Sequence, residues 1–388
     1  MARHERRASA WLRLAQAAGL ALGALSAQPG ALAAQPATGW EVCDGKTDRG
    51  ERVDCYDEWA RRQREATRPE APLANEAPPP RAQNVAAASG STDRKPPPTD
   101  PCDHTAPSSL SRFWELEKRT SCGTFDIRGY RPISLSGVAG SSVNREPTSG
   151  NPINSATTEQ PYKTKETRIQ LSVRTKLLQG LLANSDGARD SLWFGYTQQS
   201  YWQLFTGAIS RPFRSTDHEP EFIYIHPTTL DVTDDWKLRY TGLGVVHQSN
   251  GQSLPYSRSW NRIYLLAGAE NVKRGLTLQG RVWQRIPEDA ATDDNPDISD
   301  YIGRAEVTGT WELPNSPHSF ALTLRHSLRS LDKGSVRFEW FRKVEGRLVS
   351  PQASLRLHTQ LFSGYGDSLL DFNRRRTVLG VGLSLVDW

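Results

Sequence analysis

Apolar and polar residues alternate with a period of two from about residue 124 to the end of the chain. The alternating apolar positions fall into short segments: Ile169, Leu171 and Val173; Leu276, Leu278 and Val282; Phe320, Leu322 and Leu324; Val336, Phe338 and Trp340; Leu355, Leu357 and Leu361; Leu379, Val381, Leu383 and Leu385. Clusters of turn residues, such as 184–187 and 314–317, separate these segments. Because successive side chains of a strand point to opposite faces, the pattern predicts an all-β, antiparallel fold with one apolar face.

The length of this region predicts how many strands it holds. Roughly 265 residues, at about 22 residues for each strand and its turn, give about twelve strands, an even number that can close into a barrel. A soluble β-sandwich shows the same alternation, so the alternation alone leaves both folds open. The export segment described next and the terminal aromatic residue Trp388 favour a twelve-stranded transmembrane β-barrel, because outer-membrane barrels commonly end on an aromatic.

Residues 1–33 have the organisation of a secretory signal peptide. Four arginines within residues 3–13 precede an apolar stretch at 14–27, and Ala31-Leu32-Ala33 fits the small-x-small cleavage pattern. A membrane anchor is the alternative interpretation of the same stretch. Export would place the mature chain in an oxidising compartment.

In that compartment the four cysteines, Cys43, Cys55, Cys102 and Cys122, predict up to two disulfides. Three pairings are possible and the sequence leaves all three open. A metal site is the alternative, although the chain has no CxxC pair.

Residues 34–123 differ in composition from the rest of the chain. They are rich in Pro, Ala and charged residues and include Pro78-Pro79-Pro80 and Pro96-Pro97-Pro98. Such a composition buries too little apolar surface to offset the entropy of ordering, so we expect a mostly disordered extension. The predicted organisation is therefore a signal peptide at 1–33, this extension at 34–123, and a barrel domain at 124–388.

Composition and charge exclude two classes of protein. Beyond the signal region no run of about 20 apolar residues exists, so the chain is not a helical transporter or channel. The 48 basic and 43 acidic residues give a net charge of +5 and are well mixed. No block of Lys and Arg of the kind that binds nucleic acid is present, so we expect no nucleic-acid partner.

The segment 243–264 carries the candidate chemistry. His247 and Ser249 are two residues apart at a strand end and so point to one face, where the imidazole can serve as the base for a serine nucleophile. After a loop the chain runs back as the neighbouring strand, and Asn261 has the parity to share that face and orient the imidazole. This is a Ser-His-Asn variant of the serine hydrolase triad. A polar strand end is the alternative, and the absence of a Gly-x-Ser-x-Gly elbow leaves an α/β-hydrolase unsupported.

At these residues the chain resembles the outer membrane phospholipase A family. The resemblance lies in the following blocks, in order: Phe125 to Pro132, Tyr196 to Leu204, Pro212 to Arg214 with Glu219-Pro220, His247 to Gly251 followed by Ser257 to Arg262, Thr292 to Asp297, and Ser363 to Ser368. It covers about 124–388 and does not extend to the N-terminal extension.

The resemblance implies a fold and a function. It implies a twelve-stranded barrel in the bacterial outer membrane, with its triad on the lipid-facing surface. It implies an enzyme that hydrolyses acyl esters of phospholipids and lysophospholipids, requires calcium and is active as a homodimer. It implies that Ser249 is the nucleophile, His247 the base and Asn261 the orienting residue, and that the Gly251 N–H binds the oxyanion.

The resemblance also implies a set of calcium ligands. They are the Ser257 side chain, the Gln252 main-chain carbonyl, Ser210 from the partner subunit, and Asp294, all with the hard oxygen atoms that calcium prefers. Leu254 departs from the family pattern, in which an acidic residue is usual. That departure puts an accessory calcium site in the monomer in doubt.

Two other classes of function remain open at this point. A non-catalytic porin-like or structural barrel would explain the alternation but not the triad. A soluble secreted lipase is the other, and partition of the protein into the membrane fraction would exclude it.

Overall fold

A computed structural model of the chain describes residues 43, 45–66, 102, 106–185, 187–210, 213–345 and 355–385. The predicted signal peptide and Trp388 lie outside these residues. The chain divides into two compact units, residues 1–91 and residues 92–388.

The described part of the first unit is one helix with a disulfide. Helix α1, Arg49–Ala66, contains Cys55, which is bonded to Cys43. Polar and charged residues occupy most positions of this helix, so it offers little apolar surface for packing. The composition of the extension did not predict it.

The described residues of the second unit form thirteen strands. Their bounds are β1 Ile127–Gly129, β2 Ile133–Gly140, β3 Lys165–Asn184, β4 Arg189–Trp202, β5 Phe213–Asp231, β6 Lys237–Ser249, β7 Ser259–Asn271, β8 Leu276–Ile286, β9 Ala305–Glu312, β10 His318–His326, β11 Gly334–Lys343, β12 Leu355–Gly364 and β13 Arg376–Leu385. Two α-helices are described in this unit: α2 Ser109–Trp114 precedes β1, and α3 Ile298–Tyr301 lies between β8 and β9, with short 3₁₀ turns elsewhere in the unit. The 3₁₀ turns are Lys118–Thr120, Pro152–Asn154, Gly207–Ile209, Val272–Arg274 and Leu369–Asp371.

Strands β2 to β13 form a closed antiparallel barrel. Each pairs with the next in sequence, and β13 pairs back with β2, while the short β1 adds to β3. The prediction of a twelve-stranded antiparallel barrel is therefore confirmed. Within the described residues, no helix combines the length and apolar character needed to cross a bilayer.

The barrel exposes apolar side chains and buries charged ones. Leu243 and Val245 on β6, and Ile263 and Leu265 on β7, are 41 to 60% exposed on the outer face. The interior holds ion pairs such as Arg214 with Glu166. This is the inside-out polarity of a barrel whose outer face meets lipid.

The two ends of the barrel differ in the length of their connections. Short turns at 185–188, 232–236, 272–275 and 313–317 lie at one end, and the loops 141–164, 250–258 and 287–304 lie at the other. In outer-membrane barrels the short turns are periplasmic and the long loops extracellular.

Helix α2 packs inside the barrel at the short-turn end. Trp114 is 1% exposed and makes edge-to-face contacts with Tyr130, Trp193 and Tyr240. The next residue, Glu115, accepts a hydrogen bond from the ammonium of Lys176 at 2.6 Å.

The packed segment begins before the boundary that the sequence predicted at residue 124. Residues 106–123 belong to the barrel unit, because α2 contributes its aromatic residues to the main apolar cluster. The second disulfide, between Cys102 and Cys122, spans this segment. Of the three possible pairings, the structure thus contains Cys43–Cys55 and Cys102–Cys122.

Candidate active site on the outer face of the barrel

Strands β6 and β7 place the predicted triad residues next to one another. In the register of the two strands, His247 faces Asn261 and Ser249 faces Ser259. His247 and Ser249 continue the outward parity of Val245, and Asn261 that of Ile263. The three side chains therefore lie on the outer face, at the long-loop end of the barrel.

The imidazole of His247 is held by Asn261. Its Nδ1 lies 2.8 Å from the Oδ1 of Asn261. An oxygen at that position accepts a hydrogen bond from the protonated Nδ1, which leaves Nε2 as the free base of the ring. Among the described residues, no hydrogen bond joins the Ser249 hydroxyl to His247, a separation that is common in catalytic sites without substrate.

Asn250 holds the loop that follows Ser249. Its Oδ1 accepts hydrogen bonds from the N–H groups of Gln252 and Arg258, at 3.3 and 3.0 Å, and its Nδ2 donates to the Tyr256 carbonyl at 2.8 Å. The adjacent Gly251 has φ +61°, in the left-handed region that favours glycine. The sequence analysis missed the role of Asn250, although Asn-Gly is a recognisable turn signal.

Ser257 and Asp294 come together from two different loops. The Ser257 hydroxyl donates to Asp294 Oδ2 at 2.7 Å, and the Ser259 hydroxyl donates to the same oxygen at 3.1 Å. Asn154, 1% exposed, donates from its Nδ2 to Asp294 Oδ1 at 2.9 Å. The Oδ1 atom of Asn154 is buried and has no hydrogen-bond partner among the described residues. The result is a compact group of oxygen atoms with one buried acceptor left unused.

The guanidinium of Arg258 lies beside this group. Burial lowers the pKa of Arg258 to about 10, and the negative charges of Asp294 and Asp297 act against that shift.

The other two predicted calcium ligands, Gln252 and Ser210, make hydrogen bonds to other parts of the chain. Gln252 donates from its side chain to the Arg214 carbonyl at 2.9 Å. Ser210 ends the turn Gly207–Ile209 and donates from its hydroxyl to the Gly207 carbonyl at 3.3 Å.

Two further polar groups lie close to the triad and were not predicted to do so. Glu288 accepts a hydrogen bond from the Nδ2 of Asn261 at 3.2 Å. His218 faces Ser249 in the register of β5 and β6, and its Nδ1 lies 2.7 Å from the Tyr196 hydroxyl. Tyr196 in turn donates to the side-chain oxygen of Gln198 at 3.2 Å, so a polar patch borders the site on the apolar outer face.

Comparisons with known proteins identify the family of this chain. The family model for phospholipase A1 matches residues 110–385. A Neisseria meningitidis protein provisionally named phospholipase A1 is 35% identical over 298 residues, which cover 75% of this chain and 74% of the relative. Phospholipase A1 of Escherichia coli K12 is 35% identical over 226 residues, which cover 57% of this chain and 70% of the relative.

Solved structures match the barrel as a whole. The outer membrane phospholipase A of Escherichia coli superposes with a TM-score of 0.57 at 30% identity, over 68% of this chain and 99% of that chain. The outer membrane phospholipase dimer of Salmonella typhi, crystallised with bound calcium, gives a TM-score of 0.58 at 29% identity, over 72% of this chain and 97% of that chain. The matched family model and these relatives show that the chain belongs to the phospholipase A1 family of outer membrane β-barrels.

Proposed function

We propose that this chain is a calcium-dependent outer membrane phospholipase that cleaves acyl esters of phospholipids and lysophospholipids, with A1 and A2 activity. The observation that carries the proposal is the 2.8 Å contact between His247 and Asn261 on the outward face, two residues from Ser249. Only that face of the barrel meets lipid, so a nucleophile there reaches membrane esters directly.

The three side chains would divide the chemistry as in other serine hydrolases. The Ser249 oxygen attacks the ester carbonyl carbon while His247 Nε2 accepts the hydroxyl proton, and that proton then leaves with the lysolipid oxygen. Water repeats the sequence on the acyl-serine ester and releases the fatty acid. Asn261 keeps the Nδ1 proton in place throughout, as a neutral orienting residue. The backbone N–H of Gly251 is the proposed donor to the oxyanion.

The oxygen group around Asp294 fits a calcium ion. Ser257, Asp294 and the buried, unused Oδ1 of Asn154 are hard oxygen donors of the type that calcium prefers. The proposed ligand set is completed by the Gln252 carbonyl and by Ser210 of the partner subunit. When bound, calcium would supply positive charge that stabilises the oxyanion.

A homodimer is the proposed active form. The solved Salmonella typhi relative is a dimer, and the outer face of this chain carries Gln198 opposite the exposed Leu171. A side-chain amide on a lipid-facing surface gains hydrogen bonds when two copies meet there.

Hydrolysis by the purified protein tests the proposal. The detergent-solubilised chain should release fatty acid from phospholipid micelles with calcium and lose that activity with EDTA. Ser249→Ala should be inactive, whereas Ser363→Ala, which removes a hydroxyl from the distant strand β12, should keep full activity. Hydrolysis that persists in Ser249→Ala would contradict the assignment of the triad. A folded wild-type protein that is inactive at every calcium concentration would favour the porin-like alternative.

A further inference from the structure

Asn261 uses both ends of its side-chain amide, and only one end contacts the proposed base. Its Oδ1 lies 2.8 Å from His247 Nδ1, while its Nδ2 donates to Glu288 Oε1 at 3.2 Å. Glu288 follows β8 by two residues, and the last residue of that strand, Ile286, faces Asn261 in the register. The carboxylate therefore continues the outward face of β8 and reaches the amide from the side opposite His247.

The second contact decides which way the amide points. The oxygen and nitrogen ends of an asparagine side chain are nearly equal in size, so packing alone does not select one orientation. A flipped amide would present N–H groups to His247, and the imidazole would then have to carry its proton on Nε2. That tautomer has no free base at the position facing the nucleophile. An ionised carboxylate only accepts hydrogen bonds, so Glu288 requires the nitrogen of Asn261 and directs the oxygen to His247.

The second contact also brings a negative charge close to a triad whose third member is neutral. The Glu288 side chain is 22% exposed, at the edge of the apolar outer face, where charges are screened less than in bulk water. The nearest cation, the Arg285 guanidinium, lies 3.9 Å from Glu288 but 2.6 Å from Asp293, so Asp293 is its main partner. The carboxylate of Glu288 thus remains available to polarise the amide toward a developing imidazolium.

We propose that Glu288 is a positioning residue of the hydrolytic site. It fixes the orientation of Asn261 and, through it, the tautomer of His247, and its charge stabilises the imidazolium that forms during catalysis. This inference rests on the proposed Ser249–His247–Asn261 triad. It extends the triad by a fourth residue that touches neither the substrate nor the reacting atoms.

Kinetics of Glu288 variants against a matched control test the inference. Glu288→Ala should lower kcat roughly tenfold with little change in KM, because orientation and charge are both lost. Glu288→Gln keeps an acceptor for Asn261 and should lose only about threefold, while the rising limb of its pH–rate profile moves about half a unit to lower pH. The direction follows because removing a negative charge makes the protonated imidazole easier to deprotonate. Asp289→Asn is the matched control, because it removes one negative charge from the residue next to Glu288. The Asp289 side chain accepts a hydrogen bond from the Ala291 N–H, and its substitution should change neither kcat nor the pH–rate profile.

A double-mutant cycle separates a role through Asn261 from a general effect on the loop. If Glu288 acts through Asn261, Glu288→Ala should cost clearly less in an Asn261→Ala background than in the wild-type chain, because only the through-space effect of its charge then remains to be lost. An equal loss in both backgrounds, or an unshifted pH profile in Glu288→Gln, would overturn the inference, and so would wild-type kinetics in Glu288→Ala. Thermal unfolding of each variant in detergent shows whether a loss of activity comes from misfolding. If Glu288→Ala misfolds, the kinetics and pH profile of Glu288→Gln decide the test.

Ser249→Ala measured in the same assay distinguishes this inference from the proposed function. Activity remaining in Ser249→Ala would overturn the proposed function itself. An inactive Ser249→Ala beside unaffected Glu288 variants would overturn only the role of Glu288.

Discussion

The side-chain amide of Gln252 donates a hydrogen bond to the backbone carbonyl of Arg214, 2.9 Å away. The guanidinium of Arg214 is fully buried in the barrel interior, where it contacts Glu166 at 2.6 Å and Asp371 at 3.2 Å. The loop that follows the proposed nucleophile is thus tied to the charge network of the barrel interior.

Arg214→Ala should therefore destabilise the barrel. Its removal leaves the carboxylates of Glu166 and Asp371 short of a buried partner, and breaking such a pair costs about 3 kcal/mol. Thermal unfolding in detergent measures the loss. Lys273→Ala, which breaks an exposed pair with Asp235, is the control and should leave the melting temperature nearly unchanged. Equal melting temperatures for the two variants would contradict a structural role for the interior network.

Asp294→Asn should raise the calcium concentration needed for half-maximal activity by roughly tenfold, because calcium affinity follows the number of ligand charges. The substitution keeps the size of the side chain and an oxygen acceptor for Ser257. Asp332→Asn removes a charge from another loop at the same end of the barrel and should leave the calcium dependence as it is. A calcium requirement unchanged by Asp294→Asn would place the ion elsewhere.

Calcium and dimer formation should be coupled. A site that takes Ser257 and Gln252 from one chain and Ser210 of the partner subunit is complete only in the dimer, and linkage requires that calcium then favours the dimer. Sedimentation in detergent should show monomers in EDTA and a shift toward dimers with calcium and a substrate analogue. A mass distribution that ignores both additions would refute a shared site.

The N-terminal extension should be dispensable for insertion and activity, except for the segment 106–123 that packs with the barrel. Deleting residues 34–91 removes Cys43 and Cys55 together and leaves the Cys102–Cys122 pair intact, so we expect an inserted, active barrel. Deleting residues 34–120 also removes Trp114 and the ion pair of Glu115 with Lys176, and should lower the melting temperature markedly. Equal stability of the two truncated proteins would show that α2 contributes little to the barrel.

Much of the fold follows from local rules that a sequence displays. Alternation of apolar and polar positions predicted the strands because a strand has the same period of two wherever it lies. The export segment and the terminal aromatic residue then favoured a barrel over a sandwich. The same parity predicted that His247 and Asn261 share a face, since Val245 and Ile263 fix the outward side of each strand. The structure places those two side chains in contact.

Other features depend on packing that no local pattern reveals. Helix α2 is six residues long and follows a Pro-rich stretch, so the composition of the region did not indicate a packed helix. Phe113 and Trp114 pack this helix inside the barrel. The disulfide pairs depend on which residues the folded chain brings together. Glu288 lies in an irregular loop with no period, and only the folded register of β7 and β8 brings it to Asn261.

Covalent labelling with an alkyl phosphonofluoridate tests the central claim most directly, because an activated serine oxygen bonds to the phosphorus of such a reagent and displaces fluoride. The account predicts a single modified peptide containing Ser249, loss of activity in proportion to labelling, and no labelling of Ser249→Ala. It also predicts that His247→Ala slows labelling by orders of magnitude and Asn261→Ala by less, because the amide orients the base but carries no full charge. Modification of a different residue with full loss of activity, or full activity after complete labelling of Ser249, would contradict the account.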